Sequence, residues 1–234
     1  PANWNGELVM YAHGYAGEGL ELRAVDSAIR RHLVQQGYAW AASSYSRNSY
    51  DVRAGVEDTN LLARNFNAIA TARGRPLAAP GRTYVIGHSM GGHVAAAAVE
   101  AETYATARNK VRYDGAMPMC GVVGDTALFD TFAGMQAAAH VLGGHPSAAL
   151  DQWGSIKADV TTALFGIDTL APPITPTPTA GMAYASALQN LTGGPRPLFD
   201  LGLGVGSFTA PYGLFGSTTV TTGLTTRSVS DTTS

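Results

Sequence analysis

Cysteine is almost absent: Cys120 is the single thiol among 234 residues. One cysteine cannot close an internal disulfide and cannot build a cysteine-based zinc site. The count leaves the compartment open, because a cytosolic protein and a disulfide-free secreted one look alike by this measure. Long apolar runs are missing as well. No stretch of 18 apolar residues occurs, so no membrane-spanning helix is expected. The first apolar run, Leu8 to Ala12, is too short for the apolar heart of a secretory leader. Charge is sparse, at 14% of residues, and nearly balanced, with 15 basic and 17 acidic side chains for a net −2. Residues 1–117 carry 12 of the basic residues, but 10 acidic ones accompany them and no basic stripe forms. This removes the electrostatic case for nucleic acid or an anionic membrane as a partner. An initiator methionine is lacking too: the chain opens at Pro1, from which we expect a processed or partial chain.

What is present is a globular composition, 45% apolar, of a length suited to one sizeable α/β domain. The first half alternates between strand and helix patterns. Leu8 to Ala12 is a continuous apolar run closed by His13-Gly14, as suits a parallel strand buried on both faces. Leu22, Val25, Ile29 and Leu33 recur at helical spacing before Gly37. Tyr38 to Ala42 reads as a second strand, and Ser43 to Tyr50 as a loop. A helix follows from about Ala54 to Arg73, marked by Leu62, Phe66 and Ile69. Thr83 to Ile86 is a third strand, and an Ala-rich helix runs on from Met90. Gly115 to Val123 is a candidate fourth strand, weakened by Pro118. This alternation predicts βαβ units and a three-layer α/β fold with a parallel sheet.

The second half differs. Residues 125–170 read as helical, 171–179 as an extended Pro/Thr linker, and Met182 to Leu191 as a short helix. The last 18 residues hold 8 Thr and 4 Ser, and we expect them to be poorly ordered. The organisation expected is a core over 1–124, a helical region over 125–216 and a tail over 217–234.

One motif carries chemistry. Residues 87–92 read Gly-His-Ser-Met-Gly-Gly, between an apolar strand and a helix. That is the G-x-S-x-G nucleophile elbow in the setting it requires. A tight strand-to-helix turn forces Ser89 into a strained backbone and leaves no room for a Cβ at Gly87 or Gly91. The return is a serine Oγ held clear of the sheet at a helix N-terminus, where dipole and free N–H groups favour an oxyanion. The bland alternative is a Gly-rich turn with an incidental serine. His13-Gly14-Tyr15 ends an earlier strand. Its expected role is the other half of an oxyanion hole, with Tyr15 and Met90 each giving a backbone N–H. The alternative is a structural turn.

With these residues in view, the chain resembles the α/β-hydrolase superfamily. It is most similar to bacterial esterase-like serine hydrolases with Trp4-Asn5-Gly6, a strand ending in His-Gly, a Tyr-Ala-Trp-Ala-Ala-Ser-Ser-Tyr-Ser segment and this elbow. The resemblance covers about residues 1–125. It implies hydrolysis of a small-molecule ester through an acyl-enzyme, by Ser-Asp/Glu-His catalysis. It also implies that residues 125–216 form a cap and that no cofactor is needed. It does not fix the substrate, and a peptidase or amidase would use the same elbow.

The partners of Ser89 are harder to find. The superfamily order is serine, acid, histidine, and only His93, His140 and His145 follow Ser89. His93, one turn after the nucleophile, is expected to pack beneath it. His140 lies on an apolar helix stripe, where a packed or surface role is ordinary. His145, in Gly-Gly-His-Pro, has the setting of a catalytic loop histidine. Two readings stay open. In one, the acid and base lie outside this chain and no histidine here bonds to Ser89, leaving a piece that binds without turnover. In the other, Ser89, Asp125 and His145 form an internal triad, against a plain helix-capping role for Asp125 with Thr126. Tyr45, Arg47 and Tyr50 follow a strand at its carboxyl end and are candidate substrate-wall residues. The alternative there is a solvated loop with Arg47 paired to Asp51 or Asp58.

Overall fold

A computed structural model describes residues 3–17, 19–166 and 175–204. Within it, one compact unit ends at Val123 and a second begins at Gly124.

The first unit is built on four parallel strands: β1 (Glu7–Ala12), β2 (Ala39–Ala42), β3 (Arg82–His88) and β4 (Gly115–Met119). Their spatial order is β2-β1-β3-β4. Four helices connect them: α1 (Arg30–Gln35), α2 (Val52–Ala72), α3 (Met90–Ala97) and α4 (Ala101–Thr106). The fold class is therefore α/β with a parallel sheet, as the alternating pattern predicts.

Alternation along the strands sorts the core. On one face Val9 and Tyr11 of β1 pack with Ile86 of β3 and Leu33 of α1, and Trp40, Ala42 and Tyr84 border them. Leu8, Met10 and Ala12 point to the other face and are fully buried. The register puts Met10 beside Ala41 and Val85, and Ala12 beside Gly87. Small residues there let α3 approach the sheet closely.

Local chemistry explains the long helix. The Asp51 side chain accepts from the Ala54 N–H at 2.7 Å, capping α2 at its start. The buried Glu57 carboxylate accepts the Arg108 and Asn109 N–H groups at 2.8 and 2.9 Å. It thereby ties α2 to the segment that leads into β4.

One sequence expectation needs correction. The helix read from Leu22 to Gly37 is confined to Arg30–Gln35. Leu22 and Val25 are exposed, so their helical spacing finds no apolar surface to cover. Asn48 instead donates to the Gly19 and Glu21 carbonyls and ties that stretch to the loop after β2. Ser27 forms a turn just ahead of the helix: its side chain accepts from the Ile29 N–H and its carbonyl from the Arg30 N–H. Pro118, in turn, does not prevent β4. The Ser89 N–H donates to the Met119 carbonyl at 3.0 Å. In a parallel ladder this makes Met119 and Met117 the residues bonded to β3. Pro118 faces the outer side, where no strand pairs among the described residues.

The second unit is helical: α5 (Asp125–Leu142), α6 (Trp153–Phe165), α7 (Ala180–Leu191) and α8 (Phe199–Gly204). Its core gathers Met135 and Ala139 from α5, Trp153, Val160 and Leu164 from α6, Tyr184 and Leu188 from α7, and Phe199 and Leu203 from α8. The first part of the Pro/Thr linker and the 217–234 tail lie outside the described residues.

His140 is embedded in this core and stacked on Trp153 at 5.9 Å. Its Nδ1–H donates to the Ala148 carbonyl at 3.2 Å. Gln136 Nε2 donates to the Leu150 carbonyl, so the amide nitrogen also faces His140 Nε2, at 3.3 Å. The imidazole is thus held neutral, with Nε2 as acceptor. Burial pushes its pKa below the ordinary histidine value. The unfolded chain takes up the proton near pH 6.5, while the folded one resists it, so stability is lost as pH falls below that value. In urea titrations the unfolding midpoint should drop between pH 7.5 and 5, and His140→Gln should show a smaller drop. An equal drop in both would remove His140 as the cause.

Candidate functional site

The strand order creates the site. The chain leaves β1 for β2 on one side and returns to β3 on the other, so β1 and β3 are neighbours with diverging connections. In open α/β sheets the crevice at the carboxyl ends of such strands is where ligands bind. Ala12 and Gly87 are the last residues paired between β1 and β3. The next residues out are His13-Gly14-Tyr15 on one strand and His88-Ser89 on the other.

Ser89 stands between β3 and α3 with φ 59° and ψ −122°. This backbone region is costly for any residue with a Cβ. Both of its peptide groups are tied down. The Ser89 N–H donates to Met119 O at 3.0 Å, and its carbonyl accepts the Gly92 N–H at 2.9 Å and the His93 N–H at 3.2 Å. The two elbow glycines are required by contact. A Cβ on Gly87 would overlap the Gly91 carbonyl, and a Cβ on Gly91 would overlap the Ala12 carbonyl. The Met90 N–H is the first of α3, and nothing among the described residues accepts it.

Gly14 abuts Ser89. A Cβ there would lie 3.4 Å from Ser89 Cβ, 3.9 Å from Ser89 Oγ and 3.1 Å from the His88 carbonyl. Tyr15 follows directly, three residues past the end of β1 and outside its ladder. The structure therefore brings Ser89, Met90 and the Gly14–Tyr15 segment to one place. The closeness of Gly14 to Ser89 was not singled out from the sequence. A glycine directly after the last strand histidine was the available sign of a close approach.

The loop after β2 is drawn inward. Tyr45 is 3% exposed, and its hydroxyl donates to the His13 carbonyl at 2.9 Å. Burial pushes its phenol pKa well up, so it stays a neutral donor. Tyr50 is buried, and its hydroxyl meets His93 Nδ1 at 3.0 Å. This pair borders a cavity of 480 Å³ beside α2, α3 and α4, whose lining includes Val56, Glu57 and Thr103. Arg47 is paired with Asp51, one of the two carboxylates expected for it. Asp58 instead accepts the Ser46 N–H at 2.6 Å.

Both remaining triad candidates belong to the second unit. His145 Nε2 lies 3.5 Å from the exposed Asp159 carboxylate, a partner the sequence reading did not weigh. Asp125 is the first residue of α5 and Gly124 takes the N-cap position; the Asp125 side chain lies outside the described residues. Among the described residues no group of three or more His, Cys, Asp or Glu side chains is placed to hold a metal ion. No helix among them is long and apolar enough to cross a membrane.

Comparison with known protein families, curated proteins and solved structures finds no match for this chain.

The Ser89 backbone makes a stability prediction. Its φ and ψ mirror an ordinary extended conformation, which glycine adopts freely and serine does not. Ser89→Gly should raise the unfolding free energy by about 1 kcal/mol, the relief of strain less the added chain entropy of glycine. Ser89→Ala, which keeps a Cβ, should leave it near the native value. Urea unfolding of the three proteins measures this. A destabilised glycine variant would show that the elbow is not strained.

Proposed function

We propose that this protein is a serine hydrolase that cleaves carboxylic esters through an acyl-enzyme on Ser89. The observation that carries this reading is the backbone of Ser89, held at φ 59° between a buried strand and a helix. A fold tolerates such strain where the surroundings over-determine it, and such outliers cluster at functional sites. The two glycines without room for a Cβ and the open Met90 N–H agree with it.

The chemistry follows from placement. Ser89 Oγ attacks the ester carbonyl carbon as its proton passes to a general base. The carbonyl oxygen becomes an oxyanion, stabilised by the Met90 N–H and the Tyr15 N–H together with the N-terminal end of α3. Collapse expels the alcohol, which takes the proton and leaves an acyl-Ser89. Water then repeats the sequence and releases the acid. A serine hydroxyl is too weak a nucleophile without a base. His145, with Asp125 as its acid, is the internal assignment. In the same proposal the sheet unit is a three-layer hydrolase core and helices α5 to α8 form its cap.

A second reading is binding without turnover. It draws on the pairing of His145 with Asp159, which gives that imidazole a different carboxylate from the one a Ser89–Asp125–His145 triad requires. A peptidase or amidase would share the elbow and differ only in leaving group.

A fluorophosphonate probe on the full chain separates these readings. Hydrolysis predicts one label per chain on the peptide bearing Ser89, none in Ser89→Ala, and turnover of p-nitrophenyl esters above that of anilides. Labelling that persists in Ser89→Ala would place the nucleophile elsewhere. A wild-type chain that takes no label would favour the reading without turnover.

A further inference from the structure

Tyr45 follows a different strand from Ser89, yet it reaches the segment that abuts the nucleophile. Its hydroxyl donates to the His13 carbonyl at 2.9 Å, and its ring stacks on the His13 imidazole with centroids 4.0 Å apart and planes 23° from parallel. Behind it lies Gly55 of α2, where a Cβ would clash with Val94 Cγ2 at 2.6 Å and would meet Tyr45 Cζ at an ordinary contact distance of 3.6 Å. Tyr45 is itself held on both sides. Its N–H donates to Ser43 Oγ at 3.0 Å, and the next N–H, of Ser46, donates to Asp58. Its backbone has φ 59°, a region an aromatic residue rarely adopts. The fold thus holds Tyr45 in a strained conformation that places its ring against His13.

His13 passes the constraint on. It is 2% exposed, and its Nδ1 lies 2.7 Å from the Gly14 carbonyl oxygen. A carbonyl can only accept, so Nδ1 carries the proton. The Gly14–Tyr15 peptide is planar and trans, so its C=O and its N–H point to opposite sides. Fixing the Gly14 oxygen on His13 therefore fixes the direction of the Tyr15 N–H. Gly14 itself lies against Ser89.

We propose that Tyr45 is a positioning residue for the oxyanion site, acting through His13 to hold the Gly14–Tyr15 peptide in the orientation that presents the Tyr15 N–H to the substrate carbonyl oxygen. This rests on the hydrolase reading of Ser89 and adds to it. Tyr45 becomes a support behind the oxyanion site rather than a wall of the substrate pocket. Substrate binding in the ground state does not depend on the Tyr45 hydroxyl, whereas stabilisation of the oxyanion does.

The test uses the full chain, labelled with ¹⁵N, and Tyr45→Phe, which removes one oxygen and keeps the ring. Tyr113→Phe is the control, because it removes another hydrogen-bonded tyrosine hydroxyl, 2.7 Å from Asn60 Oδ1 and away from this segment. Tyr45→Phe should shift the Tyr15 amide resonance and speed its hydrogen exchange. It should slow phosphonylation of Ser89 by the fluorophosphonate, with loss of fluoride, by about tenfold and lower kcat for esters with KM unchanged. Tyr113→Phe should do neither. An unmoved Tyr15 amide in Tyr45→Phe overturns the proposal. So does a moved amide with phosphonylation at the wild-type rate. If the wild-type chain takes no label, the hydrolase reading fails, and the amide readout alone decides whether Tyr45 sets the peptide. Should Tyr45→Phe fail to fold, Ser43→Ala, which frees only the Tyr45 N–H, is read in the same way.

Discussion

The close passage of three backbone segments, with no side chain between them, is the constraint on which the candidate site depends. The Gly91 backbone lies on the Ala12 carbonyl, and Gly87 lies on Gly91. This contact sets how near α3 comes to the sheet. The distance of α3 from the sheet in turn decides where the chain must turn, and the turn falls on Ser89. A methyl group at either glycine would push α3 outward and relax the turn. The strain in Ser89 therefore follows from how the helix packs on the strands.

The same closeness has a cost that neighbouring elements offset. Burial of Leu8, Met10 and Val85 on that face, and of Val94 and Met90 from α3, supplies the apolar contact that holds the helix down. Each fully buried aliphatic side chain of this kind contributes roughly 1.5–3 kcal/mol. A strained serine costs on the order of 1–3 kcal/mol. One or two such side chains are enough to hold the turn in place, so its geometry can persist without help from a ligand.

Much of this was legible in the sequence where the signal is local. Continuous apolar runs at Leu8–Ala12 and Thr83–Ile86 marked buried parallel strands, and Gly-His-Ser-Met-Gly-Gly marked the turn. What was not legible is long-range. The bond from Tyr45 to His13 spans 32 residues, and no periodicity encodes it. Read as a loop aromatic at a strand's carboxyl end, Tyr45 has the pattern of a ligand contact. Only the fold shows that its hydroxyl is spent on a backbone carbonyl. The helix read from Leu22 failed for a related reason. Spacing shows that Leu22 and Val25 could share a face, but not whether any surface awaits it. His145 illustrates the same limit: its loop setting was plain from Gly-Gly-His-Pro, while its neighbour Asp159 comes from a different helix.

The distribution of strain argues for the carboxyl edge of the sheet as the working face. Five described non-glycine residues have positive φ: Tyr45, Ser49, Ser89, Cys120 and Leu198. Tyr45 and Ser49 follow β2, Ser89 follows β3, and Cys120 directly follows β4. Four of the five thus sit in loops leaving the same end of three strands. Ordinary turns would take glycine or asparagine at such positions, because those residues tolerate the conformation at little cost. Here the chain keeps tyrosine, serine and cysteine instead. Two of these side chains have visible uses: Tyr45 holds His13, and Ser89 presents its hydroxyl beside Gly14. A fold that bears strain repeatedly at one edge, with tyrosine, serine and cysteine rather than glycine, gives up stability to place particular side chains there.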